Sequence, residues 1–284
     1  MNNSYEFEPE LISRIRALNH FKSSPYHDLD IPGTLDFFYG RYILPLKKVC
    51  DINTSLVVDC GAGYGWFSIA YILAGGKAAI AVDVDSDRLS AANKIAELIS
   101  VEKQIEFICS PIHQLPLSID SADLFVSIET LEHVGRENIR PSLQKIKETT
   151  SKAIIITSPN KFFPVIAHDT RLPFAHWVSA NIRKQYAQMF GREGMNDNNQ
   201  FLSPFDLNIL MDKFKPVSSC LTFQSFKEYM GQYPYYLPYG ATEMSRMQYK
   251  PSLLKSNFYK IVSAILGNYS YWVMPNLAHL FLRR

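Results

Sequence analysis

The chain has 284 residues, 47% hydrophobic and 20% charged, enough to bury a full core and to form one large domain or two small ones. Its 29 Lys and Arg against 27 Asp and Glu leave a net charge of +2 and no basic block, which argues against DNA or an RNA-binding tail and for a small-molecule partner. Cys50, Cys60, Cys109 and Cys220 are scattered without a Cys-x-x-Cys pair, and no apolar run reaches the ~18 residues of a membrane span. The cysteines read as reduced core residues, and the first 20 residues lack a signal-peptide pattern, so a cytoplasmic protein is expected.

In chain order, residues 8–19 place Leu11, Ile12, Ile15 and Leu18 at helical spacing. A second helical stretch is expected over 35–50, with Phe37, Phe38, Tyr42 and Leu44 apolar and a break near Pro45. Leu56, Val57 and Val58 then suit a strand buried on both faces of a parallel sheet. Asp59-Cys60-Gly61-Ala62-Gly63-Tyr64-Gly65 follows. Its alternate glycines allow a sharp turn and close approach of a ligand, and a helix opening at Gly65 or Trp66 offers N–H groups. A second strand ends at Asp83, 22 residues after Gly61, where a carboxylate can accept both hydroxyls of a ribose.

A dinucleotide fingerprint would need glycine at position 66, where Trp66 stands. The acid two residues before the first glycine would repel a pyrophosphate and suits a cationic or amino-bearing ligand. In this form, Asp-x-Gly-x-Gly-x-Gly, the segment resembles the first motif of the class I S-adenosylmethionine-dependent methyltransferases, and the resemblance covers roughly residues 50–160. It implies an α/β fold with a doubly wound, seven-stranded Rossmann-like sheet in the order 3-2-1-4-5-7-6. It implies S-adenosyl-L-methionine held by Asp59, Gly61, Gly63, Gly65 and Asp83, with Tyr64 and Trp66 as walls. Residues 1–50 become helices covering the cofactor mouth, or simply packed on the sheet, and residues 51–284 become the methyltransferase domain.

Ser86-Asp87-Arg88 opens a helix with Leu89, Ala92, Ala96 and Ile99 on one face. Strands expected at 104–109 and 122–127 flank Ser110-Pro111-Ile112-His113-Gln114-Leu115-Pro116. This stretch resembles the family pattern Gly-Asp-x-x-x-Leu-Pro, with Pro111 where the family has the Asp that takes the adenine amino group. Adenine recognition then falls to the Ser110 hydroxyl and to backbone groups around Ile112.

Strand four leads into Ser127-Ile128-Glu129-Thr130-Leu131-Glu132-His133. If a helix begins there, Glu129, Glu132 and His133 share one face at the carboxyl end of the sheet and could hold Mg²⁺ or Mn²⁺. Glu-x-x-Glu-His is similar to the segment of the ubiquinone-biosynthesis O-methyltransferases and of the small-RNA terminal 2′-O-methyltransferases. That likeness implies a metal with one further histidine, His176 or His168. Methyltransferases without a metal carry the same segment; in that reading Glu129 faces the cofactor pocket, and His133 is a base or a satisfied polar group. The absence of Asn/Asp-Pro-Pro-Tyr, the motif of amino-methyltransferases, favours an oxygen acceptor.

A helix is expected from Pro141, with Leu143 and Ile146, and a fifth strand at 153–157. Residues 161–200 have no clear period and read as an active-site lid or a surface insertion. Ser203-Pro204-Phe205-Asp206 should open a helix, and 216–223 a sixth strand. The apolar residues 252–284 could lie on a membrane surface, but Gly267-Asn268 and Pro275-Asn276 interrupt them, and a last antiparallel strand over 278–284 is preferred. This leaves insertions at 159–202 and 224–276. The second carries Tyr229, Tyr233, Tyr235, Tyr236 and Tyr239, which either line the acceptor pocket or pack over the sheet. The expected activity is methyl transfer to an oxygen of a small molecule of secondary-metabolite, lipid or glycan type, with His133 or His176 as base. An RNA 2′-O-methyltransferase and a non-catalytic S-adenosylmethionine-binding module are the alternatives.

Overall fold

In the computed structural model, described over residues 5–22, 28–166, 169–192, 199–232 and 252–284, the apolar run after Ser55 forms β1, Leu56–Cys60. It is joined by β2 (Ala78–Asp83), β3 (Ile105–Cys109), β4 (Ala122–Ile128), β5 (Thr150–Thr157), β6 (Phe214–Pro216) and β7 (His279–Arg283). Their order is β3-β2-β1-β4-β5-β7-β6, as the sequence led us to expect. The first five strands are parallel, and β7 runs antiparallel to β5 and β6.

Alternate side chains serve two cores. Val57, Ala81, Val126 and Ile155 face one, and Val58, Val82, Phe125 and Ile156 face the other. The first core is covered by α1 (Pro9–Arg16), α3 (Ile31–Phe38), α5 (Trp66–Leu73) and α6 (Ser86–Ile99), after the short α2 (Asn19–Lys22). The second is covered by α7 (Arg136–Thr149) and the 3₁₀ turn Asp206–Leu210. Burial on both faces is why these strands read as continuous apolar runs.

The break foreseen near Pro45 is a π-helical turn, Tyr39–Ile43, between α3 and α4 (Leu44–Lys47). Pro45 has no N–H to give the Arg41 carbonyl, which accepts instead from Thr222 Oγ1 at 2.6 Å, while the Leu44 N–H reaches back to Tyr39 O.

Several expected boundaries are corrected. Pro141 lies inside α7, which begins after Gly135 at φ 85°. The Ser203 segment opens only a 3₁₀ turn, in which Asp206 Oδ2 accepts from Ser203 N and Oγ, both at 2.7 Å. β6 has three residues because pairing passes to a side chain: Val217 N donates to Leu280 O, and Leu280 N donates to Ser218 Oγ at 2.9 Å. The aperiodic 161–200 contains α8 (Ala180–Met189), and the second insertion contains α9 (Phe226–Gln232) and α10 (Leu253–Leu266). All four cysteines are free, but Cys109 is exposed rather than a core residue.

Candidate active site

The glycine turn joins β1 to α5, with Gly61, Gly63 and Gly65 at φ 78°, 54° and 73°. Its amides are already engaged. Gly61 N and Ala62 N donate to Val82 O at 2.8 and 2.9 Å, Gly65 N donates to Ala62 O at 2.8 Å, and Gly63 N donates to Asp83 Oδ2 at 2.8 Å. A pyrophosphate would find these donors taken and two carboxylates close by. A Cβ on Gly63 would meet nothing within 4 Å, so the turn is open on that side, beside the half-buried Asp83. Asp83 is oriented through Oδ1, which accepts from Asp85 N at 3.0 Å. Open space over a glycine next to a fixed, half-buried acid fits a nucleoside with its ribose toward Asp83.

Asp59 has a task within the fold. It is buried, and Oδ2 accepts from Ser68 Oγ at 2.7 Å and Ser68 N at 3.2 Å, which fastens the first turn of α5 to β1. Burial pushes its carboxyl up to about 7, against the hydrogen bonds from Ser68. Trp66, expected as a wall, is buried in the first core, while Tyr64 is half-buried. Ser110 is tied to Asp83, since its N–H donates to Asp83 O at 3.0 Å, and its hydroxyl donates to Pro111 O at 3.1 Å. Ile112 is buried in the second core at the start of a 3₁₀ turn.

At the end of β4 the expected helix is replaced by a kink. Glu129 is left-handed at φ 49°, and only Leu131–His133 coil, as a 3₁₀ turn. The carboxylates and imidazole therefore do not share a helical face. Glu132 turns inward and is buried, whereas His133 is exposed. Among the described residues no three His, Cys, Asp or Glu side chains are placed to hold a metal, so the Mg²⁺ or Mn²⁺ set of Glu129, Glu132, His133 and His176 is not supported. His168 lies outside the described residues. Burial, reinforced by the charge of Glu129, instead pushes the Glu132 carboxyl up to about 8.

Around Glu129 gather residues that the sequence reading did not assign to the site. Asn276 Nδ2 donates to Glu129 Oε1 at 3.2 Å, and the Glu129 N–H donates to Thr157 O at 2.8 Å. Tyr42 is buried, and burial, with the charge of Glu129 and against that of Arg41, pushes its phenol up to about 12. Arg41 in turn lies over the Tyr229 ring at 5.9 Å. Asn160, at the start of the first insertion, anchors the end of the second, with Nδ2 within 3.1 Å of the carbonyls of Tyr271, Trp272 and Met274. No sequence signal singles out Arg41 or Tyr42; the π-turn that carries them shows only in the fold.

His176 is half-buried on the turn Ala175–Trp177, its Nε2 2.9 Å from Lys161 O, and burial holds its pKa below the usual imidazole value. Its ring contacts Phe201, next to Gln200, whose N–H donates to Glu132 O at 2.8 Å. The first insertion thus returns beside the Glu132 turn. Tyr229 belongs to a small core with Phe223 and Tyr259, so it packs rather than lines a loop. Tyr233, Tyr235, Tyr236 and Tyr239 lie outside the described residues.

Residues 57–152 match the family model described as a methyltransferase domain. No curated protein matches the chain. Among solved structures, it is similar to magnesium protoporphyrin IX methyltransferase from Synechocystis PCC 6803 with bound SAH, at 17% identity and TM-score 0.49, over 73% of this chain and 84% of that one. It is also similar to the MccD protein, at 13% identity and TM-score 0.48, over 88% and 96%. The [4+2]-cyclase SpnF follows at 11% identity and TM-score 0.45, over 89% and 80%. At such identities and TM-scores these likenesses carry no weight; the fold is established by the sheet order itself. The match spans about a third of the chain, a likeness to a methyltransferase domain that supports use of S-adenosylmethionine.

Proposed function

We propose that the chain transfers a methyl group from S-adenosylmethionine to an oxygen of a small molecule. The observation that carries this reading is the glycine turn, whose amides are engaged internally and whose open side faces Asp83, so that it suits a nucleoside and not a dinucleotide phosphate. When bound, S-adenosylmethionine supplies an electrophilic methyl group on a sulfonium. The chain's own work is then to align the acceptor and take up its proton. Asp83 holds the ribose hydroxyls, Ser110 and Ile112 border the base, and Glu129 faces the reacting end. Glu132, kept neutral near pH 7 by burial and by Glu129, adds no second charge. His176, neutral at pH 7 because burial lowers its pKa, is the base we favour over the exposed His133. An oxygen acceptor agrees with the end of β4, where Glu129 and Thr130 stand in place of an amine-orienting amide. Incubating the protein with methyl-labelled S-adenosylmethionine and a metabolite and lipid extract tests this by mass spectrometry. An O-methylated product supports the reading, and label found only on nitrogen or carbon overturns the choice of acceptor.

A further inference from the structure

The helix α10 reads LLKSNFYKIVSAIL and buries Tyr259 and Val262 against the protein. On a separate stripe, Leu254, Ile261 and Ile265 are i, i+7 and i+11, which is one row of a helix. They are 82%, 57% and 74% exposed. A second apolar strip lies alongside. Phe163 contacts Phe258 of α10, and its neighbour Phe162, 43% exposed, contacts Phe205, which is 55% exposed. The strip continues through Lys161, whose carbonyl accepts from Trp177 Nε1, to the paired rings of Trp177 and Phe174, each 50% exposed. Contiguous rings and aliphatic side chains in water mark a surface that another phase or molecule covers.

Charge indicates which. Residues 161–192 hold five basic residues, Lys161, Arg171, Arg183, Lys184 and Arg192, against Asp169, which pairs with Arg183. Residues 252–276 add Lys255 and Lys260 and no acid. Over their full lengths, with Glu193, Asp197, Glu228 and Glu243 included, the insertions 159–202 and 224–276 carry +2 and +3 in a chain whose net charge is +2, so the positive excess lies where the apolar side chains are exposed. Exposed Lys260 flanks the stripe on α10, where its stem can follow the apolar face and its ammonium can stay in water. An apolar row edged by lysine, with tryptophan and phenylalanine beside it, is suited to an interface that is apolar within and negatively charged at its surface. We infer that α10 and the aromatic strip dock this protein on an anionic lipid bilayer, lying in the headgroup plane without crossing it. This docking stands independently of the methyl acceptor.

Sedimentation of the full chain with vesicles of phosphatidylcholine, with and without phosphatidylglycerol, tests the inference. Binding should need the anionic lipid and fall with salt. Replacing Leu254, Ile261 and Ile265 together by Ser should weaken binding at least tenfold while circular dichroism and melting temperature stay near those of the parent, because the three side chains are exposed. Lys260→Gln, a milder surface change, should weaken it about fivefold. Equal binding to neutral vesicles, or unchanged binding by both variants, overturns the inference. So does absence of vesicle binding together with a dimer in sedimentation equilibrium that the triple variant dissolves, since the surface would then join two copies of the chain.

Discussion

The Thr130 side chain fills the space in which a Cβ on Gly61 would lie, so the end of β4 and the turn after β1 fit together only because residue 61 has no side chain. Thr130 Oγ1 also donates to Ile128 O at 2.9 Å and lies 3.2 Å from Cys60 O, which fixes the threonine where it is. Gly61→Ala therefore meets two costs: a left-handed backbone, about 1–2 kcal/mol, and overpacking, about 1–3 kcal/mol. Gly63→Ala meets only the first, because nothing stands within 4 Å of its Cβ. Urea unfolding should rank Gly61→Ala as clearly the less stable. Gly63→Ala should instead lose at least about tenfold in S-adenosylmethionine affinity by calorimetry, since its methyl enters the space assigned to the nucleoside.

Asp83→Ala should cost about 1.5–3 kcal/mol of S-adenosylmethionine binding, the value of a hydrogen bond to a charged group. The Gly63 and Asp85 amides lose their acceptor as well, so Asp83→Asn, which keeps one acceptor oxygen, should lose less. Calorimetric affinity unchanged in Asp83→Ala would remove the ribose assignment.

Asp59 makes stability depend on pH. Its carboxyl sits at about 7 in the folded chain and at about 3.9 when unfolded, so the folded state holds the proton more tightly. Its contribution is fully present below pH 4 and is lost as pH rises through 7, at most about 4 kcal/mol in all. Asp59→Asn keeps an acceptor for Ser68 and has no proton to lose. Denaturation at pH 4 and pH 8 should show the wild type losing stability relative to this variant on going up in pH, and parallel profiles would refute the assignment.

A metal is not needed for turnover in this reading, because the Glu129 kink separates the side chains that would have to share one. Activity measured after dialysis against excess EDTA should equal that of the untreated protein. Loss on chelation and recovery with Mg²⁺ or Mn²⁺ would restore the ligand set that the sequence suggested.

His176 as base predicts a kinetic split. His176→Ala should lower kcat by about 10²–10⁴, the usual share of a general base, with S-adenosylmethionine affinity unchanged. Because burial lowers the His176 pKa, the neutral form persists into mild acid, so the acid limb of the kcat profile should fall below the ordinary imidazole value near 6.5. His133→Ala should leave both quantities near the wild type, and the reverse pattern would exchange the two roles.

The sequence by itself determined the sheet and the glycine turn between its first strand and helix. The apolar run 56–58, the alternate glycines and the terminal Asp83 are local patterns, because strand burial, left-handed turns and helix starts depend on neighbours a few residues away. The order of all seven strands followed from that unit and from the resemblance it carried. What the local pattern could not supply were contacts between distant segments. A Glu-x-x-Glu-His run reads as a helical face until the Glu129 backbone is seen at φ 49°, bonded to Thr157 and reached by Asn276 from 147 residues away. Asp59 likewise reads as a ligand for a cation until Ser68 is found on it, and Trp66 as a pocket wall until the core closes over it. Arg41 and Tyr42 carry no motif at all; the π-turn that holds them forms because Pro45 has no N–H, and Thr222 takes the carbonyl that the proline leaves. Periodicity encodes which face of an element is buried. Which polar groups meet at its end is decided by the packing of segments far apart in the chain.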